Sequence, residues 1–148
     1  ALQAGFEGIW TPVLDMRTGY CDVTCTLCGT VCPTGAIERL TPAQRQGLEP
    51  RPDGRTEVVI IGTASFDRGR CLPWAMDTPC VVCEEVCPVS PKAIHTREAR
   101  IEDRDGASLL LRRPYVDAAL CVGCGICEKE CPVRGPAAIR VGARIVTL

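Results

Sequence analysis

Apolar residues fall in short clumps along this chain. The longest purely apolar run, Val58-Val59-Ile60-Ile61, opens EVVIIGTASFDRGR (57–70), which reads as a short strand entering a loop. WTPVLDMRTGY (10–20) and LLLRRPYVDAAL (109–120) read the same way, and IERL (37–40), IHT (94–96) and IRV (139–141) each read as a strand start after Ala-Ile. Between residues 41 and 56, TPAQRQGLEPRPDGRT is rich in Pro, Gly and polar residues and is expected to be a mobile surface loop. Asp105-Gly106, set between extended runs, is a hairpin signal. Short strands, tight hairpins and one helical turn after each of three cysteine groups predict an α+β fold made of repeated half-units.

Composition shows that the apolar clumps are not enough by themselves. Of 148 residues, 46% are hydrophobic but only 4% aromatic, which suits one compact domain without a generous aromatic core. Seventeen basic and eighteen acidic residues leave a net charge of -1, so no basic stripe points to nucleic acid. Four apolar residues in a row are far short of the roughly 20 that a membrane span needs. The chain opens on Ala1 rather than Met, which is expected of a processed or truncated product of something longer.

Twelve cysteines supply the missing cohesion, and they recur in one unit three times. The units are CDVTCTLCGTVCPTGAI (21–37), CLPWAMDTPCVVCEEVCPVSPKAI (71–94) and CVGCGICEKECPVRGPAAI (121–139). In the third, Cys121, Cys124, Cys127 and Cys131-Pro132 follow the C-x2-C-x2-C-x3-C-P spacing of a [4Fe–4S] site, in which the fourth cysteine serves the other cluster of a pair. Three cysteines two residues apart wrap a loop around one cubane, and soft thiolates suit iron–sulfur centres. Gly123 and Gly125 permit positive φ and a close backbone approach, and Pro132 fixes the turn that leaves the site.

The other two units lengthen only the first step. One extra residue separates Cys21 from Cys25 ahead of Cys28 and Cys32-Pro33, and LPWAMDTP separates Cys71 from Cys80 ahead of Cys83 and Cys87-Pro88. Twelve cysteines at four per cubane imply three [4Fe–4S] clusters. A disulfide framework has no need of three Cys-Pro endings, and zinc ribbons use paired knuckles rather than triads followed by a fourth cysteine.

Several residues have milder readings. The sole histidine, His95, is expected to be a packing or surface imidazole. Trp74 and Met76, in the loop before Cys80, would either shield a cluster from water or pack as ordinary loop residues. Negative charge at Glu84 and Glu85 would make reduction harder if it is not simply solvated. Arg112 and Arg113 are candidates for a patch that docks an acidic partner. No nucleophile–histidine pair, paired catalytic carboxylates or phosphate loop is present, so the reading is of a non-catalytic protein.

In this order, the three cysteine units resemble the polyferredoxins of the MauM/NapG type, relatives of the iron–sulfur β subunits of molybdopterin oxidoreductases. The resemblance covers nearly the whole chain, except that the first of the family's four motifs is absent. It implies a ferredoxin-like α+β fold in a single polyferredoxin domain (1–148), with cluster units at 10–40, 57–96 and 109–142 and a linker at 41–56. It also implies electron transfer in association with periplasmic nitrate reduction or methylamine oxidation, hence an extracytoplasmic place. Partners would be redox proteins: a membrane-anchored quinol-oxidising protein, or a molybdopterin, haem or flavin subunit. The alternatives are a structural or docking module, and an electron-transferring subunit of a larger oxidoreductase.

Two cysteine pairings stay open. By nested pairing, as in the β-subunit relatives, Cys21, Cys25 and Cys28 would share a cluster with Cys87, and Cys71, Cys80 and Cys83 with Cys32. This scheme is slightly preferred. By neighbour pairing, Cys71, Cys80 and Cys83 would take Cys131, and Cys121, Cys124 and Cys127 would take Cys87.

Overall fold

A computed structural model describes residues 13–102, 106 and 108–143. Among the described residues, four strands form two antiparallel ribbons. β1 (Thr63–Phe66) pairs with β4 (Ile139–Gly142), and β2 (Ile94–Glu102) pairs with β3 (Ser108–Val116). The helices are single turns: α1 (Leu27–Val31), α2 (Pro42–Arg45), α3 (Leu72–Ala75), α4 (Val82–Glu85) and α5 (Ile126–Lys129). Short helices and antiparallel strands make this an α+β architecture compatible with a ferredoxin-like fold. Among the described residues no helix is long and apolar enough to cross a membrane.

The long ribbon β2–β3 forms where the hairpin signal lies; Gly106 sits there at φ +78°, while Asp105 is outside the described residues. Its register sets apolar residues opposite each other at Ile94–Val116, Ala99–Leu111 and Ile101–Leu109. Strands start at Ile94 and Ile139, as the Ala-Ile pairs predict, because both isoleucines lie in the core with Ala64, Ala93, Cys83, Cys121 and Cys127.

Three expectations are corrected. The apolar run 58–61 is not the strand, since β1 starts two residues later at Thr63, where β4 provides a ladder partner. Residues 13–20 and 37–40 form no strand, because the ladders join β1 to β4 and β2 to β3 and leave them without a partner among the described residues. Residues 10–12 of the first expected strand lie outside the described residues. The stretch 41–56 is not loop throughout: Thr41 accepts from the Gln44 N–H at 3.1 Å while Gln44 accepts from the Thr41 N–H at 2.9 Å, a capping box that starts α2.

Glycines allow the close packing around the third cysteine unit. Gly123 has φ +74°, and a Cβ there would fall within 2.6 Å of the Gly62 carbonyl carbon. Gly106 has a similar φ but open space around it. Gly123→Ala is therefore expected to lower stability by roughly 2–4 kcal/mol, from backbone strain plus overpacking. Gly106→Ala should cost only about 1 kcal/mol, from strain alone; thermal unfolding of the iron-loaded variants checks the difference.

Candidate metal centres

Each cysteine triad ends on a helical turn, and the fourth cysteine of its unit follows that turn. Cys28, Cys83 and Cys127 lie on α1, α4 and α5, while Cys32, Cys87 and Cys131 come just after those turns end. Contacts between α4 and α5 bring the second and third units together, and Cys83 and Cys127 enter one buried cluster.

Two cysteine quartets result. Cys71, Cys80, Cys83 and Cys131 line one cavity with Phe66, Leu72, Pro73, Pro114 and Ile139. Cys87, Cys121, Cys124 and Cys127 line a second, with Ala64, Val89, Ile94 and Val141. Each quartet thus combines a triad with the fourth cysteine of the neighbouring unit. This is the neighbour arrangement, not the slightly preferred nested one: Cys87 faces the third unit's triad, and Cys32 is absent from both cavities.

The electrostatics of the quartets follow from this crowding. Burial, and then the charges of Cys80 and Cys131, push the Cys71 thiol up to about 11. Burial, then Cys80 and Cys71, push Cys83 up to about 12. Burial also raises Cys124, with Cys87 and Cys121 adding to it, and raises Cys127 further, with Cys124 and Cys121 the largest charge contributors. Four thiolates cannot gather in an apolar pocket without cationic compensation, which iron supplies to its thiolate ligands. Among the described residues no three His, Cys, Asp or Glu side chains converge closely enough for a single metal ion. Four sulfurs instead line each apolar pocket, and that donor set fits a polynuclear iron–sulfur group.

The first unit is arranged differently. Cys28 is exposed, Cys21, Cys25 and Cys32 are half-buried, and none lines either cavity. Cys32 Sγ receives the Ile37 N–H at 3.4 Å and contacts the Thr34 hydroxyl at 3.6 Å, which lowers its thiol to about 7. Cys21 Sγ receives the buried Arg45 guanidinium at 3.1 Å, and the Cys21 N–H donates to the Cys124 carbonyl at 2.8 Å. The first unit thereby abuts the second quartet.

Sequence reading missed the side chains that hold these parts together. Arg17 Nη1 donates to the carbonyls of Glu128 and Cys131 at 2.9 and 2.8 Å, and its Nη2 to that of Val133 at 2.7 Å, so it grips the end of α5. Glu84 and Glu128, each just after the third cysteine of its triad, accept the N–H of Thr96 at 3.0 Å and of Val141 at 2.7 Å. They latch both cysteine turns to strands. Only the recurrence of Glu at that one position hinted at this, since the acceptors are strand N–H groups remote in sequence. Glu84 also pairs with Arg112 at 3.0 Å, which removes Arg112 from the docking patch expected of it. Glu85 is exposed.

Remaining candidates are placed as follows. His95 stacks on Tyr115 with centroids 6.0 Å apart, a packing imidazole. Trp74 packs against Tyr115 at 5.4 Å and donates its indole N–H to the Pro114 carbonyl, while Met76 is exposed.

Comparison with known proteins agrees with this chemistry. The family described as the 4Fe-4S dicluster domain matches residues 78–134, a segment that holds every cysteine of the two quartets except Cys71. The methylamine utilization ferredoxin-type protein MauM of Paracoccus denitrificans is 35% identical over 140 residues, covering 89% of this chain and 54% of that protein. MauM of Methylorubrum extorquens is 36% identical over 114 residues, covering 77% and 44%. The ferredoxin-type protein NapG of Escherichia coli is 31% identical over 121 residues, covering 78% and 46%. No solved structure matches significantly. The chain spans about half the length of the curated relatives it matches. Its cysteine units, its dicluster segment and these relatives together support a ferredoxin-type iron–sulfur protein, a polyferredoxin of the MauM/NapG type.

Proposed function

We propose that this chain is a non-catalytic one-electron relay holding three [4Fe–4S] clusters within a single domain. The observation that carries the reading is the pair of similar apolar cavities, each walled by three cysteines of one unit and the fourth of the other. On this reading residues 63–142 are two repeated half-units, strand, cysteine loop, helical turn and strand, that exchange their last cysteine. Cys71, Cys80, Cys83 and Cys131 hold one cluster, and Cys121, Cys124, Cys127 and Cys87 hold the next. Cys21, Cys25, Cys28 and Cys32 hold the third; ligand-type spacing supports that assignment, and the Cys21–Cys124 backbone bond would keep it close to its neighbour.

Bound there, a cluster supplies one-electron exchange with little change of shape. The chain excludes water with Ile94, Ile139 and Val141, and it tunes sulfur charge by donating to it. The Ala64 N–H reaches Cys121 Sγ at 3.4 Å, and Arg45 reaches Cys21 Sγ. Such donors stabilise the more negative reduced state and raise the potential. Partners on this reading are redox proteins, in keeping with the methylamine-utilization name of one set of relatives.

Iron and sulfide analysis with EPR on anaerobically purified protein tests the count. About twelve irons per chain, four for each cluster, is expected. About eight would withdraw the third cluster and keep the paired relay, whereas four or fewer would overturn the paired arrangement.

A further inference from the structure

We propose that the face built on Trp74 and Tyr115 docks an acidic one-electron carrier protein and connects it to the cluster of Cys71, Cys80, Cys83 and Cys131; this rests on the iron–sulfur reading above. Three arginines from separate parts of the chain converge there. Arg68 lies 4.4 Å and Arg113 4.9 Å from the Trp74 ring centroid, and Arg97 lies 4.7 Å from that of Tyr115. Trp74 and Tyr115 meet edge to face, so the arginines and rings form one continuous surface.

This arrangement goes against sheet stability. Arg97 stands directly opposite Arg113 in the β2–β3 register, and like charges facing across a ladder are destabilising. A ribbon selected only for stability would place a carboxylate at one of the two. Among the described residues, Asp77 at 3.9 Å from Arg113 is the one carboxylate in an ion pair with any of these three arginines. A guanidinium stacked on a ring keeps its in-plane N–H groups free, and those groups match carboxylates bidentately. Arg68 and Arg97 are exposed and can offer them to a partner's Asp or Glu side chains.

The location ties the face to electron transfer. Trp74 follows Cys71 by one helical turn, its N–H donating to the Cys71 carbonyl at 2.9 Å. The Trp74 indole donates to the Pro114 carbonyl at 3.3 Å, and Arg113 Nε to the Pro73 carbonyl at 3.1 Å. Pro73 and Pro114 are fully buried and form part of the wall of the cavity lined by Cys71 and Cys131. A partner seated on the rings is therefore one layer of side chains from the cluster. One electron passes between the partner's redox group and the cluster, with no bond made and no proton moved.

Stopped-flow oxidation of the reduced, iron-loaded protein tests this with two small probes, anionic tris(oxalato)cobaltate(III) and cationic hexaamminecobalt(III), each taking one electron to become cobalt(II). Arg68→Gln with Arg97→Gln is expected to slow the anionic probe about tenfold at low ionic strength and to flatten its salt dependence. The cationic probe should not slow. Arg113 is left in place because it props Pro73. The equally charged control, Arg39→Gln with Arg55→Gln, should leave the anionic rate within about twofold, as its charges lie off this face. The conservative pair Arg68→Lys with Arg97→Lys should recover most of the rate, and a polyglutamate peptide should compete with the anionic probe on the unaltered protein only. Equal slowing in both glutamine pairs, or in neither, overturns the docking surface. If the unaltered protein passes electrons to neither complex, the relay reading itself fails.

Discussion

Removing iron from the protein with a chelator under mild oxidation is expected to abolish its cooperative unfolding transition and disperse its tertiary structure. The reason lies in what the core is made of. Its buried cluster is Ala64, Ala93, Ile94 and Ile139 with Cys83, Cys121 and Cys127, so cysteines and alanines outnumber large side chains. Ordinary domains retain a net stability of only about 5–15 kcal/mol. On the proposed reading each cluster crosslinks two units through four thiolates, and stripping the iron removes those crosslinks while leaving crowded, buried sulfurs. Near-ultraviolet circular dichroism and heat-capacity scans follow the change. An iron-free chain that keeps a sharp transition would show that the core stands without its clusters.

The second large effect concerns which cysteines share a cluster. Cys131→Ala is expected to cost about four irons, or to leave a three-iron centre, although Cys121, Cys124 and Cys127 of its own unit stay intact. Cys71→Ala should damage the same cluster, so Cys71→Ala with Cys131→Ala should lose no more iron than either change alone. Such non-additivity is what two ligands of one centre give. Cys32→Ala combined with Cys71→Ala should lose more, because the two cysteines are assigned to different sites. Iron assays with EPR of each variant distinguish the schemes. If Cys32 and Cys71 behave as one unit and Cys131 does not, the nested pairing returns and the neighbour assignment falls.

Much of this was legible in the chain. Cysteine spacing and the three Cys-Pro endings are local, and a triad two residues apart has few ways to bend other than a loop and a helical turn, which α1, α4 and α5 provide. The strand starts at Ile94 and Ile139 and the hairpin at Gly106 were likewise readable from short patterns. The apolar run at 58–61 misled because apolar content marks burial, whereas a ladder needs a partner; β4 gives one only from Thr63 onward. Thr41 and Gln44 form a capping box that a Pro- and Gly-rich composition concealed.

The donor chemistry is therefore set by the sequence itself: soft thiolates, four to a unit, with glycines where the backbone must turn left-handed. Decisions that join distant segments belong to the tertiary structure. It turns Cys87 and Cys131 toward each other's triads because α4 packs on α5, and it keeps Cys21, Cys25, Cys28 and Cys32 out of both cavities. It also separates two adjacent arginines, sending Arg112 to Glu84 and Arg113 to Trp74, because neighbours on a strand face opposite ways. Spacing along a chain governs which atoms can form a ligand set, but which sets share a cluster depends on packing between elements far apart in sequence.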